Sequence, residues 1–286
     1  VTRIPTTARA GLAGLAAVAP PLAVEAAYRM FRHVGAPAPV RAVDRAVHDR
    51  ARRGRVHVHG NDVVAYSWGD PAAPPVLLAH GWQLRASRFA VLVEALEAAD
   101  LRPVAFDGPA HGASSGRRTT VLEHAAATRA VQEATGPLAA VVGHSLGALA
   151  AGLALRDGLA ADRYVAIAAP TGFDSVVRAF RRQAGLPERL HEPLCERVAR
   201  GLFPDAAEAR DRLDLLRRPV PAAIPALFVH DVDDTLQGPG EARRLQAAHP
   251  GSELLVTAGL GHNRVLDDHD VASAVVRHVT TTAYAY

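Results

Sequence analysis

What most constrains this chain is the alternation of short apolar runs with helix-compatible stretches. Val76-Leu77-Leu78-Ala79, Pro103-Val104-Ala105-Phe106, Leu138-Ala139-Ala140-Val141-Val142, Arg163-Tyr164-Val165-Ala166-Ile167-Ala168, Ala226-Leu227-Phe228-Val229-His230 and Glu253-Leu254-Leu255-Val256-Thr257 are strand-length runs. Helical spacing of apolar residues separates them, over Ala86 to Ala99, Val121 to Ala134 and Val271 to Thr280. Strands of this kind, regularly spaced by helices, predict a mostly parallel sheet covered on both faces, an α/β architecture. Ahead of them, Arg55 to Trp68 alternates partially around Gly60-Asn61, a turn signal that predicts a hairpin.

Composition excludes several function classes. The 286 residues are 49% hydrophobic and 21% charged, which suits a globular protein rather than a disordered one. The 32 Lys and Arg nearly balance 29 Asp and Glu, leaving a formal charge of +3. The densest basic run, Arg41, Arg45, Arg50, Arg52, Arg53 and Arg55, has no interleaved aromatics, so it reads as a solvated surface and no nucleic-acid partner is expected. The one cysteine, Cys195, excludes an intrachain disulfide and lacks sulfur partners for a common structural zinc site. The apolar run from Ala10 to Val24 is too short for an ordinary membrane span and contains Pro20-Pro21. It predicts a packed N-terminal helix, with a membrane-surface helix or an export signal as alternatives and no stable transmembrane insertion. A cytoplasmic protein is the expectation.

Three segments are expected: an N-terminal helical extension over residues 1–54, an α/β core over 55–170 and 222–286, and an insertion over 171–221. The insertion is rich in Arg and Glu and is broken by Pro187, Pro193 and Pro204. At about 50 residues it exceeds an ordinary crossover and predicts a helical cap over one edge of the sheet.

The chemistry starts at Gly143-His144-Ser145-Leu146-Gly147, between an apolar strand and a helix-compatible stretch. A strand, tight turn and helix would hold Ser145 on an exposed elbow, with glycines where side chains would collide. A serine hydroxyl needs a base to take its proton, and the base needs a group that fixes its tautomer. The later strands end in Asp231-Val232-Asp233-Asp234 and in Gly259-Leu260-Gly261-His262, at the same sheet edge as the elbow. An acyl-transfer oxyanion also needs preorganised donors, and the backbone N–H of Leu146 opens the helix after the elbow. The acidic cluster at 231–234 lacks a regular series of further oxygen ligands, so no metal and no cofactor are implied.

Together with Leu78-Ala79-His80-Gly81-Trp82 and Phe106-Asp107-Gly108-Pro109-Ala110-His111-Gly112, these motifs resemble the α/β-hydrolase family, serine esterase-like branch with a helical cap. The resemblance covers about residues 55–280, in the family's order. It implies Ser145 as nucleophile, His262 as base, Asp234 as acid, and the Trp82 backbone N–H as second oxyanion donor; the Trp82 indole is a candidate to shape the pocket. One departure stands at Asp231, where the family commonly has glycine after the histidine, so Asp231 remains an alternative acid. His80 and His111 are expected to order loops, and His144 to pack in the turn. The expected activity is hydrolysis of a small apolar or aromatic carboxylic ester, contacted by Trp82, Phe173, Phe180, Leu186 and Leu190. Carbon–carbon bond hydrolysis, acyl transfer, perhydrolysis and noncatalytic ligand binding are the alternatives. Ser145 speaks against the dehalogenase and epoxide hydrolase branches, which by the same resemblance carry Asp at that position.

Overall fold

In the computed structural model, which describes residues 4–238 and 240–281, the apolar runs assemble into one eight-stranded sheet. The outermost residues of the expected terminal segments, 1–3 and 282–286, lie outside the described residues, as does Pro239. The chain opens on α1 (Thr6–Val18), α2 (Pro20–Arg32) and a short α3 (Arg45–Asp49). Then come β1 (Arg52–Val58), β2 (Asn61–Ser67), β3 (Pro75–Ala79), α4 (Ala90–Glu97), β4 (Arg102–Phe106), α5 (Val121–Thr135), β5 (Ala140–His144), α6 (Leu146–Arg156) and β6 (Tyr164–Ile167). Three cap helices follow, α7 (Phe173–Ala184), α8 (His191–Ala199) and α9 (Ala206–Arg212). The chain closes with β7 (Ala226–Asp231), α10 (Gly240–Ala248), β8 (Glu253–Thr257), α11 (Gly261–Arg264) and α12 (His269–Thr280).

The strand order is β1-β2-β4-β3-β5-β6-β7-β8. The β1–β2 and β2–β4 pairs are antiparallel and all the others parallel. The hairpin turn is His59-Gly60, one residue earlier than the sequence signal placed it. Both residues have positive φ, 47° and 81°, and Asn61 is already in β2, opposite Val58. A two-residue turn between twisted strands needs positive φ at both positions, and Gly60 supplies the second without steric cost.

Side-chain alternation along the strands divides the core in two. Leu77, Ala79, Val141 and Phe228 face a cluster with α5, α6, α10 and the cap, whereas Val76, Leu78, Val142 and Val229 face α4 and α12. Both faces are covered, which explains why these strands are apolar at every position. Thr120 caps α5 by accepting the Glu123 N–H at 3.2 Å, and Asp268 caps α12 by accepting the Val271 N–H at 2.9 Å.

The N-terminal apolar run forms two helices rather than one. Pro20 cannot donate within a helix but fits its first turn, so α1 stops and α2 begins there. The pair folds back on itself and packs on the cap, α1 against α7 and α2 against α8. Arg197 of α8 lies over the Tyr28 ring at 3.5 Å and bonds Glu25 at 2.6 Å; Arg189 donates to the Ala16 carbonyl at 2.8 Å. No helix among the described residues is long and apolar enough to cross a membrane.

Candidate active site

Ser145 sits between β5 and α6 with φ 53° and ψ −123°, a conformation that costs a non-glycine residue energy and aims its hydroxyl out of the turn. The neighbouring glycines make the turn sterically feasible. A Cβ on Gly143 would lie 2.3 Å from the Ala148 Cα, and one on Gly147 would lie 2.2 Å from the Ala79 carbonyl oxygen. Helix α6 can therefore press directly onto β3 and β5.

His262, in α11 just after β8, reaches back to the elbow. Its Nε2 is 3.0 Å from Ser145 Oγ and its Nδ1 is 2.7 Å from Asp234 Oδ2. Carboxylate oxygens only accept, so Nδ1 carries the proton and Nε2 is left to accept from the serine. Asp234 Oδ1 is occupied in turn by the N–H groups of Leu236 at 2.8 Å and Gln237 at 3.0 Å, which fix the carboxylate plane. His262 and Asp234 are largely shielded from water, and Ser145 is 8% exposed.

Asp231 does something different. Its Oδ1 accepts the N–H groups of Gly261 and Asp233, and its Oδ2 accepts the Thr257 hydroxyl and the Leu260 N–H, all within 2.8–3.0 Å. Burial alone would push this carboxyl up, but those four donors hold it below the usual carboxylate range. Asp231 thus ties down the turn that presents His262 while making no contact with the imidazole. His144 acts on the same turn: its Nε2 donates to the His262 carbonyl at 2.8 Å, and burial holds its pKa well below the ordinary value, leaving it neutral.

Two more neutral histidines brace the loop that carries Trp82. His80 Nδ1 donates to the Gly81 carbonyl at 2.8 Å and its Nε2 accepts the Gly108 N–H at 2.9 Å. His111 Nδ1 donates to the Pro109 carbonyl at 2.9 Å and its Nε2 accepts the Gln83 N–H at 3.0 Å. Burial pushes the His111 pKa down to about 3, so the ring stays an acceptor at neutral pH. The residues on either side of Trp82 are thereby anchored to the 107–112 loop, itself held by Asp107. That carboxylate accepts from Tyr66 Oη, the Ala86 N–H and the Ala113 N–H. Among the described residues, the N–H groups of Trp82 and Leu146 make no hydrogen bond.

Ser145, Trp82 and Leu146 open onto a cavity of about 610 Å³. Phe173 and Phe180 line it as expected contacts, but Leu186 and Leu190 do not. Those two leucines are 3% and 4% exposed and are spent on packing in the apolar core. Helical phase in the sequence does not reveal which side of a cap helix meets the cavity. The sequence reading also missed an entire wall: Tyr28, Met30, Phe31, Arg32 and His33, at and just beyond the end of α2, line the same cavity as Ser145. Phe31 meets Phe180 edge-on at 5.2 Å. The available signal was Tyr28 and Phe31, one helical turn apart after an apolar run.

In the cap, Asp174, His191 and Cys195 bring one ligand-type atom each within 4.8 Å of one another. Arg210, however, donates from Nε to both Asp174 oxygens at 3.0–3.1 Å and grips Glu192 with its other nitrogens. Burial pushes the Cys195 thiol up to about 12, so it stays protonated and faces Asp174 at 3.4 Å. The group is a cross-link between α7, α8 and α9, with the Asp174 carboxylate already taken by Arg210.

Sequence comparison agrees with this architecture: the profile of the alpha/beta hydrolase family matches residues 76–274. The chain belongs to that family. No protein of curated function matches it. Among solved structures, it is similar to an esterase from Pyrococcus furiosus, with 20% identity, TM-score 0.63, and coverage of 85% of this chain and 97% of that one. It is also similar to an esterase from a Rhodococcus species, with 22% identity, TM-score 0.60, and coverage of 81% and 98%. A third is a bacterial membrane phospholipase A, with 18% identity, TM-score 0.61, and coverage of 85% and 91%. At these identities the likeness speaks to the fold.

Proposed function

We propose that this α/β hydrolase cleaves carboxylic esters through an acyl-enzyme formed on Ser145. The observation that carries the reading is the hydrogen-bonded chain Ser145–His262–Asp234 opening onto the apolar cavity. His262 Nε2 takes the hydroxyl proton as Ser145 Oγ attacks the ester carbonyl, and Asp234 stabilises the imidazolium that forms. The N–H groups of Trp82 and Leu146 receive the developing oxyanion, with the α6 N-terminus adding its dipole. His262 then protonates the departing alkoxide, and the bond from the carbonyl carbon to the leaving oxygen breaks. Water, deprotonated by the same imidazole, attacks the acyl-enzyme and releases the acid and free Ser145.

The cap over 171–221 and the end of α2 form the pocket in which the organic part of the ester is desolvated. Likeness to esterases and to a phospholipase A supports an ester as the bond cleaved. The test is labelling with a fluorophosphonate alongside turnover of aryl esters of increasing acyl length. Wild type should label stoichiometrically and turn over, and S145A should do neither. Equal turnover by both proteins would discard the reading, and ligand retention without labelling would make the chain a binding protein.

A further inference from the structure

The cavity is apolar in its body but carries an unbalanced positive charge. Arg29, Arg32, His33 and Arg118 line it, and no Asp or Glu does among the described residues. Arg29 is engaged by Glu25, 3.0 Å away, but among the described residues neither Arg32 nor Arg118 has a carboxylate within ion-pair distance. Arg32 Nη1 donates to the Tyr28 hydroxyl at 3.1 Å, while its Nε is buried without an acceptor. Burying a donor of a charged group without a partner is unfavourable, and native structures rarely leave one unless something else fills the place.

The backbone brings the segments that carry the two arginines together. His33 bridges Arg118 in antiparallel fashion, the Val34 N–H donates to the Arg117 carbonyl at 3.3 Å, and the Thr119 N–H donates to the Arg32 carbonyl at 3.4 Å. A strap from the end of α2 is thus stitched to the segment entering α5, and both arginines border the space that Ser145 opens onto. Residues 29–33 precede the stretch that matches the family profile, so this half of the charge comes from the N-terminal extension.

We infer that the substrate is an anionic amphiphile: an ester whose apolar body fills the cavity and whose carboxylate or phosphate is held by Arg32 and Arg118. This rests on the ester-hydrolase reading for the bond cleaved, but not for the anion site. Guanidinium groups suit such an anion because their N–H forks match its oxygens.

The experiment compares 4-carboxyphenyl octanoate with 4-carbamoylphenyl octanoate, which place charge or a neutral isostere on the alcohol side. A mono-4-nitrophenyl ester of an α,ω-dicarboxylic acid, beside its neutral amide, places the charge on the acyl side. In wild type, kcat/KM should favour the anionic member of one pair by about tenfold, the size expected for a charge-assisted hydrogen bond. The ratio should fall to about one in R32Q/R118Q, with R118Q alone, at an exposed side chain, as the fallback if the double variant does not fold. Whichever pair responds assigns the anion to the alcohol or the acyl side. A wild-type ratio near one in both pairs, or a preference that survives the substitutions, overturns the inference. Calorimetry on S145A with the amide analogues 4-octanoylaminobenzoate and 4-octanoylaminobenzamide separates the two readings. Tighter binding of the benzoate without turnover of any ester by wild type keeps the anion site and discards the hydrolase. Turnover with equal binding of the two analogues and a kcat/KM ratio near one in both ester pairs does the reverse.

Discussion

The two walls of the active-site cavity are built by different physics. On the sheet edge, Asp231, Asp234, His80, His111 and His144 each make at least one hydrogen bond to a backbone group of a neighbouring loop, so the loops that carry Ser145, His262 and Trp82 are held by directional bonds. The facing wall, from α2, α7 and α8, is joined by apolar packing and a few ion pairs at its margins, such as Arg197–Glu25. Directional bonds hold atoms to tenths of an ångström, as general acid–base chemistry requires; packing tolerates repacking and sets shape. On the proposed reading, chemistry falls to one wall and substrate selection to the other.

The largest effects should fall on the sheet edge. H262A should lower kcat by about four or more orders of magnitude with little change in thermal unfolding, because it removes the proton acceptor and not the core. Steady-state kinetics beside a melting curve checks both halves, and a modest loss of rate would break the division of labour.

Next, the two aspartates should part company. D234N should cost about three to four orders of magnitude in kcat by presenting the wrong hydrogen-bond partner to Nδ1. D231N should cost less in rate but destabilise the 257–261 turn, by about 1–3 kcal/mol at neutral pH for a buried acceptor site weakened. The sign with pH follows from the lowered carboxyl: its stabilisation is present above the unfolded pKa of about 3.9 and is lost as pH falls through the lower folded value. The stability gap between wild type and D231N should therefore close in acid, as melts at neutral pH and near pH 2 would reveal. If instead D231N abolishes turnover and D234N does not, the acid assignment is reversed.

On the facing wall, F180A should change selectivity more than rate, shifting the preferred acyl length upward as the edge contact with Phe31 is lost. L190A should cost about 2–5 kcal/mol of stability and leave the length preference in place, since its side chain is buried in the core and does not line the cavity. Equal shifts in selectivity from both would erase the distinction between lining and packing residues. The smallest effect is expected from R197A, which removes the stack on Tyr28 and the bond to Glu25. Limited proteolysis at the α1–α2 junction should quicken a few-fold while turnover of short esters changes little.

Much of this was legible in the sequence because it is local or ordered along the chain. The strand runs, the elbow glycines and the positions of Asp234 and His262 at strand ends all follow from periodicity, sterics and motif order. The competition between Asp231 and Asp234 was not decidable, since both lie in one turn and differ only in which way the backbone aims them. Leu186 and Leu190 were assigned to the cavity because apolar spacing identifies a buried face without saying what covers it. Nor did the run Ala10 to Val24 show that the helix following Pro20 would end at the cavity onto which Ser145 opens.

The sequence by itself determined the α/β class, the elbow and the set of groups that meet at one sheet edge, because strand alternation and glycine requirements act within a few residues. Only the tertiary structure decided which aspartate faces His262, which cap residues see the cavity, and that an N-terminal helical pair brings Arg32 to the cavity that Arg118 also lines. Those depend on contacts between distant segments, and helix packing has many near-equivalent solutions that no local pattern distinguishes.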